Sequence, residues 1–318
     1  MESQSDLIPT YVYTFACHED EAQLCALEQR ALFGTAASEE PLRWLVSARR
    51  VDASRSPFVK QRVEVSLTAA SPEALAEEAS RLELAGCTFK IVFVPTDDPY
   101  TFDERRQLER LVGSRVRGKA DMRTPDRTLG LVRLGARWAL GEAADNKALW
   151  LRHKDKPQPY STALGTRTAR ALVNIAVPEP EGTRVVDPCC GIGTVLIEAM
   201  SMGIEIAGMD VNPLAVRGAR VNLVHFGYTS PKLVQLQDMR TAAGHYDTAI
   251  VDMPYNLCSK LPEAEQLELV QGARRLASRA VFVSMEPLEH VLQQADFTTI
   301  DRCLIRKGSF VRHVAVCV

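Results

Sequence analysis

The sequence lacks any apolar run that approaches the roughly 18 consecutive residues needed to cross a bilayer. Its first ten residues, MESQSDLIPT, also lack the basic and then apolar pattern of a secretory signal peptide. These absences argue against an integral membrane protein and against a secreted protein. We therefore expect a cytoplasmic chain with no membrane partner.

The sequence also lacks the cysteine spacings of a metal centre. None of its eight cysteines forms a CxxC pair, and none has the Cys/His spacing of a zinc site. Cysteine is a common small buried residue, so we expect free thiols that mostly fill the core. The sequence predicts no metal.

Net charge is small, at −2 from 38 basic and 40 acidic residues, so the chain has no global excess of positive charge. Locally the balance differs, because ten basic residues stand against three acidic ones between Arg105 and Arg137. Such a run is typical of a patch that holds nucleic-acid phosphates, although it also fits a solvated helix face. The strongest candidates for RNA contacts are Arg105, Arg106, Arg115, Arg117, Lys119, Arg123 and Arg127.

A chain of 318 residues has room for about two domains. The second half alternates short apolar strands, at 183–187, 204–210, 233–237, 248–251 and 280–284, with helical segments. This alternation predicts an α/β doubly wound sheet, which two further β segments at 298–305 and 310–318 complete.

The first half predicts a mixed α+β domain. It has strands at 11–15, 63–67 and 89–94 and helices at 19–32 and 72–84. The polar, proline-interrupted stretch 152–160 reads as a linker. We therefore expect domains at 1–152 and 153–318.

Residues 185–194, VVDPCCGIGT, predict a strand, a tight turn with two glycines and a helix. Glycines in such a turn let the backbone approach a ligand at the crevice where doubly wound sheets bind nucleotides. A dinucleotide fingerprint would place a third glycine at position 196, where this chain has Leu196. Asp187 at the strand end instead favours a ligand with an ammonium group, such as S-adenosylmethionine.

Two more aspartates are expected at strand ends. Asp210 follows Asp187 by 23 residues, where a carboxylate can accept both hydroxyls of a ribose. Asp238 ends the next strand and could face the amino group of an adenine. Either residue could also be a simple turn former, so these two positions support an adenosine ligand without selecting one.

The strand at 248–251 is followed directly by Asp252-Met253-Pro254-Tyr255. Methyl transfer to an exocyclic amine requires acceptors that hold its hydrogens and a flat ring that grips the base. Asp252 and the carbonyl of Met253 can supply the acceptors, Tyr255 the ring, and Pro254 a stiff loop. The sequence therefore predicts a base-methylating site here.

Together, residues 187–194 and 252–255 resemble the class I S-adenosylmethionine-dependent amino-methyltransferases, and in particular the THUMP-associated tRNA guanine-N2 methyltransferases that act on guanosine 10. The resemblance covers about residues 150–318, where 160–176 is similar to the helix before the glycine turn. It extends more faintly to 17–32 and 56–58.

The resemblance implies a Rossmann-like methyltransferase sheet with an antiparallel last strand, preceded by a THUMP-like RNA-binding domain, with S-adenosylmethionine as cofactor and tRNA as substrate. It implies a monomer, and leaves the need for an activating partner open. The implied cofactor contacts are Ser161, Asp187, Pro188, Cys189, Cys190, Gly191, Gly193, Thr194, Asp210, Val211, Asn212, Asp238 and Met239.

The chain departs from the family motif D-P-P-Y at Met253 and at Asn256. Other substrates use the same strand-end chemistry, so an N6-adenine or N4-cytosine methyltransferase on DNA or ribosomal RNA stays open. A silent paralogue that binds cofactor without transferring methyl also stays open. A nicotinamide oxidoreductase is disfavoured by Leu196 and leaves residues 252–255 unexplained.

Overall fold

A computed structural model describes residues 10–97, 99–160, 163–229, 233–254, 261–307 and 310–318. Short 3-10 helices occupy Glu19–Glu21 and Leu149–Lys154. In chain order the other elements are β1 (Tyr11–Phe15), α1 (Ala22–Phe33), β2 (Trp44–Ser47), β3 (Val59–Ala69), α2 (Pro72–Ala79), β4 (Phe89–Phe93), α3 (Phe102–Gly113), β5 (Arg127–Leu134), β6 (Arg137–Asp145), α4 (Thr166–Ala176), β7 (Arg184–Asp187), α5 (Thr194–Ser201), β8 (Glu205–Asp210), α6 (Pro213–His225), β9 (Val234–Leu236), β10 (Tyr246–Asp252), α7 (Glu263–Leu276), β11 (Ala277–Ser284), α8 (Glu289–Gln294), β12 (Thr299–Lys307) and β13 (Phe310–Cys317).

The chain folds as two compact units. One comprises the chain up to Ala16 together with Leu42–Lys147, and the other comprises Cys17–Pro41 together with Ala148–Val318. This division differs from the expected domains 1–152 and 153–318 in two ways. The boundary falls five residues earlier, and the segment Cys17–Pro41 packs with the second half of the chain.

The first unit is built on a six-stranded sheet in the order β2-β1-β3-β6-β5-β4, in which only β4 and β5 pair in parallel. Apolar residues of α2, α3 and the sheet, including Leu75, Val112 and Leu131, form its larger core. Helix α3 starts at a capping box, in which Thr101 and Glu104 satisfy each other's backbone N–H groups. The α+β character expected of the first half is thus observed.

The second unit is built on a seven-stranded sheet in the order β12-β13-β11-β10-β7-β8-β9. Strands β7 to β11 pair in parallel, whereas β13 runs antiparallel between β11 and β12. The doubly wound sheet with an antiparallel last strand is therefore confirmed. Because β7, β8, β9 and β10 run parallel, their carboxyl ends lie at the same edge of the sheet.

Helix α1 packs against α4 and β12 of the second unit. The Arg30 guanidinium forms two hydrogen bonds with the Asp301 carboxylate, from Nε at 2.7 Å and from Nη2 at 2.9 Å. Also on α1, the buried Glu28 carboxylate accepts a hydrogen bond from the Asn174 amide of α4 at 2.6 Å. A buried carboxylate is costly unless it is paired, so these bonds explain why this segment belongs to the second unit.

A buried ion network joins three segments of the second unit. The Glu198 side chain on α5 is fully buried, and it accepts hydrogen bonds from Arg170 of α4 at 2.8 Å and from His153 Nδ1 at 2.7 Å. Arg170 also donates to the Ser201 hydroxyl and lies over the Trp150 ring. His153 is thus one end of this network.

Among the described residues, no helix combines the length and apolar character that crossing a membrane requires.

The seven cysteines in the described part of the chain are free thiols, and Cys25, Cys190, Cys303 and Cys317 are buried. Cys258 lies outside the described residues.

Removing one member of the buried network should destabilise the second unit. We expect Glu198→Ala to lower the free energy of unfolding by about 3–5 kcal/mol, because it leaves Arg170 charged in a buried site without its carboxylate partner. Urea denaturation followed by circular dichroism measures this. The matched control is Glu205→Ala, since Glu205 is 80% exposed and pairs with Arg184 only at 4.0 Å. A control effect of about 0–1 kcal/mol is expected. Equal losses in the two variants would contradict the role of the network.

Candidate active site

The turn between β7 and α5 depends on two glycines with left-handed backbone angles. Gly191 has φ of 52° and Gly193, the N-cap of α5, has φ of 83°. Residues with a Cβ adopt this region at a cost, so glycine is the natural residue at both positions. The turn is closed by a hydrogen bond from Gly193 N to the Cys190 carbonyl at 2.8 Å.

The glycine turn after β7 and helix α5 pack closely against strand β8 at Gly208. A Cβ at Gly208 would lie 2.6 Å from Leu196 Cδ1 and 3.2 Å from Cys190 Sγ. In a dinucleotide fingerprint the close approach of helix and strand is provided by a glycine of the helix, at the position of Leu196. In this chain the strand provides the glycine, and Leu196 fills the space above it. Cys190 is buried and packs beneath the turn, as expected.

A cavity of about 390 Å³ opens at the carboxyl edge of the second sheet. Four aspartates, one from the end of each of four neighbouring strands, line it together: Asp187, Asp210, Asp238 and Asp252. Of the other residues predicted for the site, those that line the same cavity are Pro188, Cys189, Cys190, Gly191, Thr194, Val211, Met239, Met253 and Pro254.

The first two aspartates bind the loops beside them. Asp187 is 3% exposed, and burial raises the pKa of its carboxyl well above the ordinary value, with Asp252 and Asp210 adding to the shift. Its Oδ1 accepts from Cys189 N at 3.2 Å. Asp210 accepts from Gly191 N at 2.9 Å and from Asn212 N at 2.8 Å, so this carboxylate ties the glycine turn to the end of β8.

Asp238 follows β9 and is paired with Arg240. The Arg240 guanidinium approaches Asp238 Oδ2 at 2.6 Å from Nη2 and at 2.9 Å from Nε. These hydrogen bonds hold the pKa of Asp238 below its usual range. Arg240 also lines the cavity, where it is the one arginine or lysine among the described lining residues.

Asp252 stands at the end of β10, and burial raises the pKa of its carboxyl to about 7, although the positive charge of Arg312 acts in the opposite sense. The next residue, Met253, donates its backbone N–H to the Val283 carbonyl of β11 at 2.8 Å and buries its side chain in the core. Met253, at which the chain departs from the D-P-P-Y motif, is therefore a core residue. Pro254 is exposed at the cavity.

Some predicted residues have other positions. Gly193 and Asn212 do not line the cavity, and Asn212 caps α6 by accepting from Leu214 N at 2.9 Å. Ser161 and Tyr255 lie outside the described residues. Nine further residues line the cavity although the sequence did not predict them: Tyr160, Ala163, Leu164, Ile192, Val195, Arg240, Leu261, Glu265 and Leu269. Ile192 lies within the motif 185–194, and Arg240 is a basic residue two positions after a strand-end aspartate, so both had a local signal.

No group of three or more potential metal-ligating side chains suited to holding an ion occurs among the residues described. The four aspartates of the cavity lie at the ends of separate strands, and three of them, Asp187, Asp210 and Asp238, form hydrogen bonds with different neighbours. Their arrangement is that of a pocket which accepts several hydrogen-bond donors or positive groups at spaced positions.

In the first unit the basic run 105–137 is divided between α3, the following loop, β5 and the first residue of β6. Three of its predicted RNA contacts have partners within the chain: Arg105 lies over Phe93, Arg106 pairs with Glu109, and Arg127 pairs with Glu142. The other four side chains are exposed and make no salt bridge with the described part of the chain: Arg115, Arg117, Lys119 and Arg123.

Comparison with known proteins gives concordant matches. Residues 152–267 match the family model described as RMKL-like, methyltransferase domain. The tRNA (guanine(10)-N2)-dimethyltransferase of Methanothermobacter thermautotrophicus is 29% identical over 164 residues, which are 48% of this chain and 48% of that protein. The enzyme of the same name from Pyrococcus abyssi is 29% identical over 171 residues, 50% of each chain. The chain spans about half the length of the curated relatives it matches.

Among solved structures, TrmN from Thermus thermophilus is 20% identical, with a TM-score of 0.48 over 97% of this chain and 99% of that chain. The family match covers β7 to β10 and the turns that form the cavity. Residues 152–267 are thus similar in sequence to an RMKL-like methyltransferase domain.

Proposed function

We propose that the chain transfers a methyl group from S-adenosylmethionine to the exocyclic N2 amine of a guanosine in tRNA. The observation that carries this proposal is the half-buried Asp252 carboxylate, in one cavity with three other strand-end carboxylates. The names of the curated relatives support tRNA and guanosine 10 as the substrate and position.

The charges of the cavity suit this cofactor. Among the described lining residues, five acidic side chains face one basic side chain: Asp187, Asp210, Asp238, Asp252 and Glu265 against Arg240. S-adenosylmethionine carries a sulfonium and an ammonium, which this lining attracts, whereas the pyrophosphate of a dinucleotide would be repelled. Asp187 would hold the ammonium, Asp210 the ribose hydroxyls and Asp238 the adenine amine.

Asp252 would hold the substrate. The bound cofactor would supply an electrophilic methyl group, so the chain needs to position the amine rather than to activate it. An ionised Asp252 accepts one N–H of the amine and directs the nitrogen lone pair away from itself. With a pKa of about 7, the same carboxylate could take the proton that the amine loses as the N–C bond forms and the methyl–sulfur bond breaks, which would leave the cofactor as a neutral thioether. The target base has to leave its stack, at a cost of a few kcal/mol.

The proposed RNA contacts are the four exposed basic residues after α3, within the predicted set Arg105, Arg106, Arg115, Arg117, Lys119, Arg123 and Arg127. Exposed guanidinium and ammonium groups that lack an internal partner can neutralise phosphates without breaking a bond of the fold. We propose that this unit is THUMP-like and that it chooses the tRNA, since a small cavity cannot select one nucleotide without remote contacts.

Methyl transfer from labelled S-adenosylmethionine to unmodified bulk tRNA, followed by nucleoside analysis, tests the function. We expect the label in N2-methylguanosine. Label in N6-methyladenosine or N4-methylcytidine would keep the cofactor site and overturn the guanine assignment. Cofactor binding without label in any RNA would favour the silent paralogue instead.

Replacement of Asp252 tests its role. We expect Asp252→Ala to lower kcat by about 10²- to 10⁴-fold, with cofactor affinity nearly unchanged in calorimetry. In the wild type, kcat/KM should rise with pH through about 7, because the ionised carboxylate is the acceptor. Asp252→Asn, which cannot ionise, should lack this rise. Loss of cofactor binding in either variant would contradict the assignment.

The exposed basic residues can be tested by a triple substitution. We expect alanine at Arg115, Arg117 and Lys119 to weaken tRNA binding and to make the dependence of log affinity on log salt shallower by about 2 to 3. Filter binding at several salt concentrations measures both. The control replaces Arg50, Lys60 and Arg81, which are exposed residues of the same unit outside the run. Equal effects of the two triple variants would contradict a localised patch.

A further inference from the structure

Arg240 contacts the Asp238 carboxylate through its backbone N–H and through two nitrogens of its guanidinium. Its backbone N–H donates to Oδ1 at 2.8 Å, its Nη2 donates to Oδ2 at 2.6 Å, and its Nε lies 3.1 Å from Oδ1 and 2.9 Å from Oδ2. Three donors of one residue therefore converge on one carboxylate. An ionised carboxylate offers roughly four lone-pair sites, so this arrangement leaves about one for a further donor.

The loop that carries this pair is fixed from outside. The backbone of Met239, between the two residues, lies so close to α7 that a Cβ at Gly272 would approach its carbonyl oxygen to 2.8 Å. Arg275, also on α7, donates to the Arg240 carbonyl, and Glu268 accepts from the Arg240 guanidinium at 3.3 Å. Arg240 thus fixes the orientation of the Asp238 carboxylate, and helix α7 fixes Arg240.

A fixed acceptor distinguishes between purines. The 6-amino group of adenine donates a hydrogen bond, whereas the 6-oxo group of hypoxanthine only accepts and would face the carboxylate unfavourably. Hypoxanthine does carry a donor at N1, one ring position away. A carboxylate that could shift would bind this N–H instead, and the difference between the two bases would shrink. Selection for adenine therefore requires that Asp238 does not move.

We propose that Arg240 is a positioning residue that fixes the Asp238 carboxylate and thereby makes the cavity select a 6-aminopurine over a 6-oxopurine in its cofactor. This inference rests on the proposed function, in which the cavity binds S-adenosylmethionine. The Arg240 guanidinium also lowers the pKa of Asp238 and so favours the ionised carboxylate. An ionised carboxylate accepts hydrogen bonds but cannot donate them, which again favours the 6-amino group over the 6-oxo group.

Calorimetry with two ligands tests the proposal. The probes are S-adenosylhomocysteine and its counterpart in which hypoxanthine replaces adenine, each titrated into the full-length wild type, Arg240→Ala, Arg240→Lys and Asp238→Asn. We expect the wild type to prefer the adenine ligand by about tenfold or more. Arg240→Ala should reduce the preference for the adenine ligand to about threefold or less. The reason is that the freed carboxylate can shift to the N1–H of hypoxanthine, so the affinity for the hypoxanthine ligand should rise relative to that for the adenine ligand. Arg240→Lys, with a single ammonium in place of the planar fork, should be intermediate, and Asp238→Asn should lose the preference.

The control is Glu263→Gln, because Glu263 lies on the same helix α7, is 63% exposed and pairs with His290 rather than with Arg240. We expect its preference to stay within about twofold of the wild type. If Arg240→Ala weakened both ligands equally, Arg240 would be structural only and the proposal overturned. Equal binding of both ligands by the wild type would also overturn it, while leaving the cofactor assignment intact. Failure of the wild type to bind either ligand would instead refute the proposed function.

Discussion

Repulsion between four carboxylates at one edge of a sheet is the constraint on which the site depends. Parallel strands bring their carboxyl ends together, so an aspartate after each of β7, β8, β9 and β10 concentrates negative charge around one cavity. The chain offsets this charge in different ways. Burial raises the pKa of Asp187 and of Asp252, Asp210 is held by two backbone N–H groups, and Asp238 is paired with Arg240.

These arrangements also give the cavity its shape. The Asp210 carboxylate holds Gly191, and the turn that contains Gly191 can lie on β8 only because Gly208 has no side chain. The glycine that permits close packing has thus moved from the helix to the strand, compared with a dinucleotide fingerprint. Leu196, which in the sequence argued against a dinucleotide, is in the structure the residue that fills the space above Gly208.

Local signals predicted much of this architecture. The alternation of apolar strands and helices and the aspartates after strands are properties of short segments, and the structure has them where they were expected. Helix α2 ends at Ala79 rather than near residue 84, because the chain turns at Ser80, whose hydroxyl and backbone N–H both donate to the Glu77 carbonyl. Contacts between distant segments gave no such signal. Arg30 and Asp301 are separated by 271 positions, so no local pattern could assign α1 to the second unit.

The basic run 105–137 is a second feature whose contacts could not be predicted from local sequence. Composition alone treated ten basic residues as one feature, but folding divides them into side chains that are used within the unit and side chains that are not. Arg127 begins β5 and pairs with Glu142 across the sheet, whereas Arg115 and Arg117 lie in the loop after α3. Whether a charge is available to a partner is decided by its neighbours in space, which the sequence does not display.

The hydrogen bonds of the four aspartates separate them into two kinds. Asp187, Asp210 and Asp238 each accept at least one N–H group of the chain, so their orientation is set before any ligand arrives. For Asp252, none of the residues that the structure describes donates to the carboxylate. A desolvated carboxylate without a donor is unfavourable, as its raised pKa shows, and an incoming N–H group would relieve this cost. The three engaged aspartates are therefore suited to hold a ligand in a fixed place, and the fourth to meet the group that reacts with it.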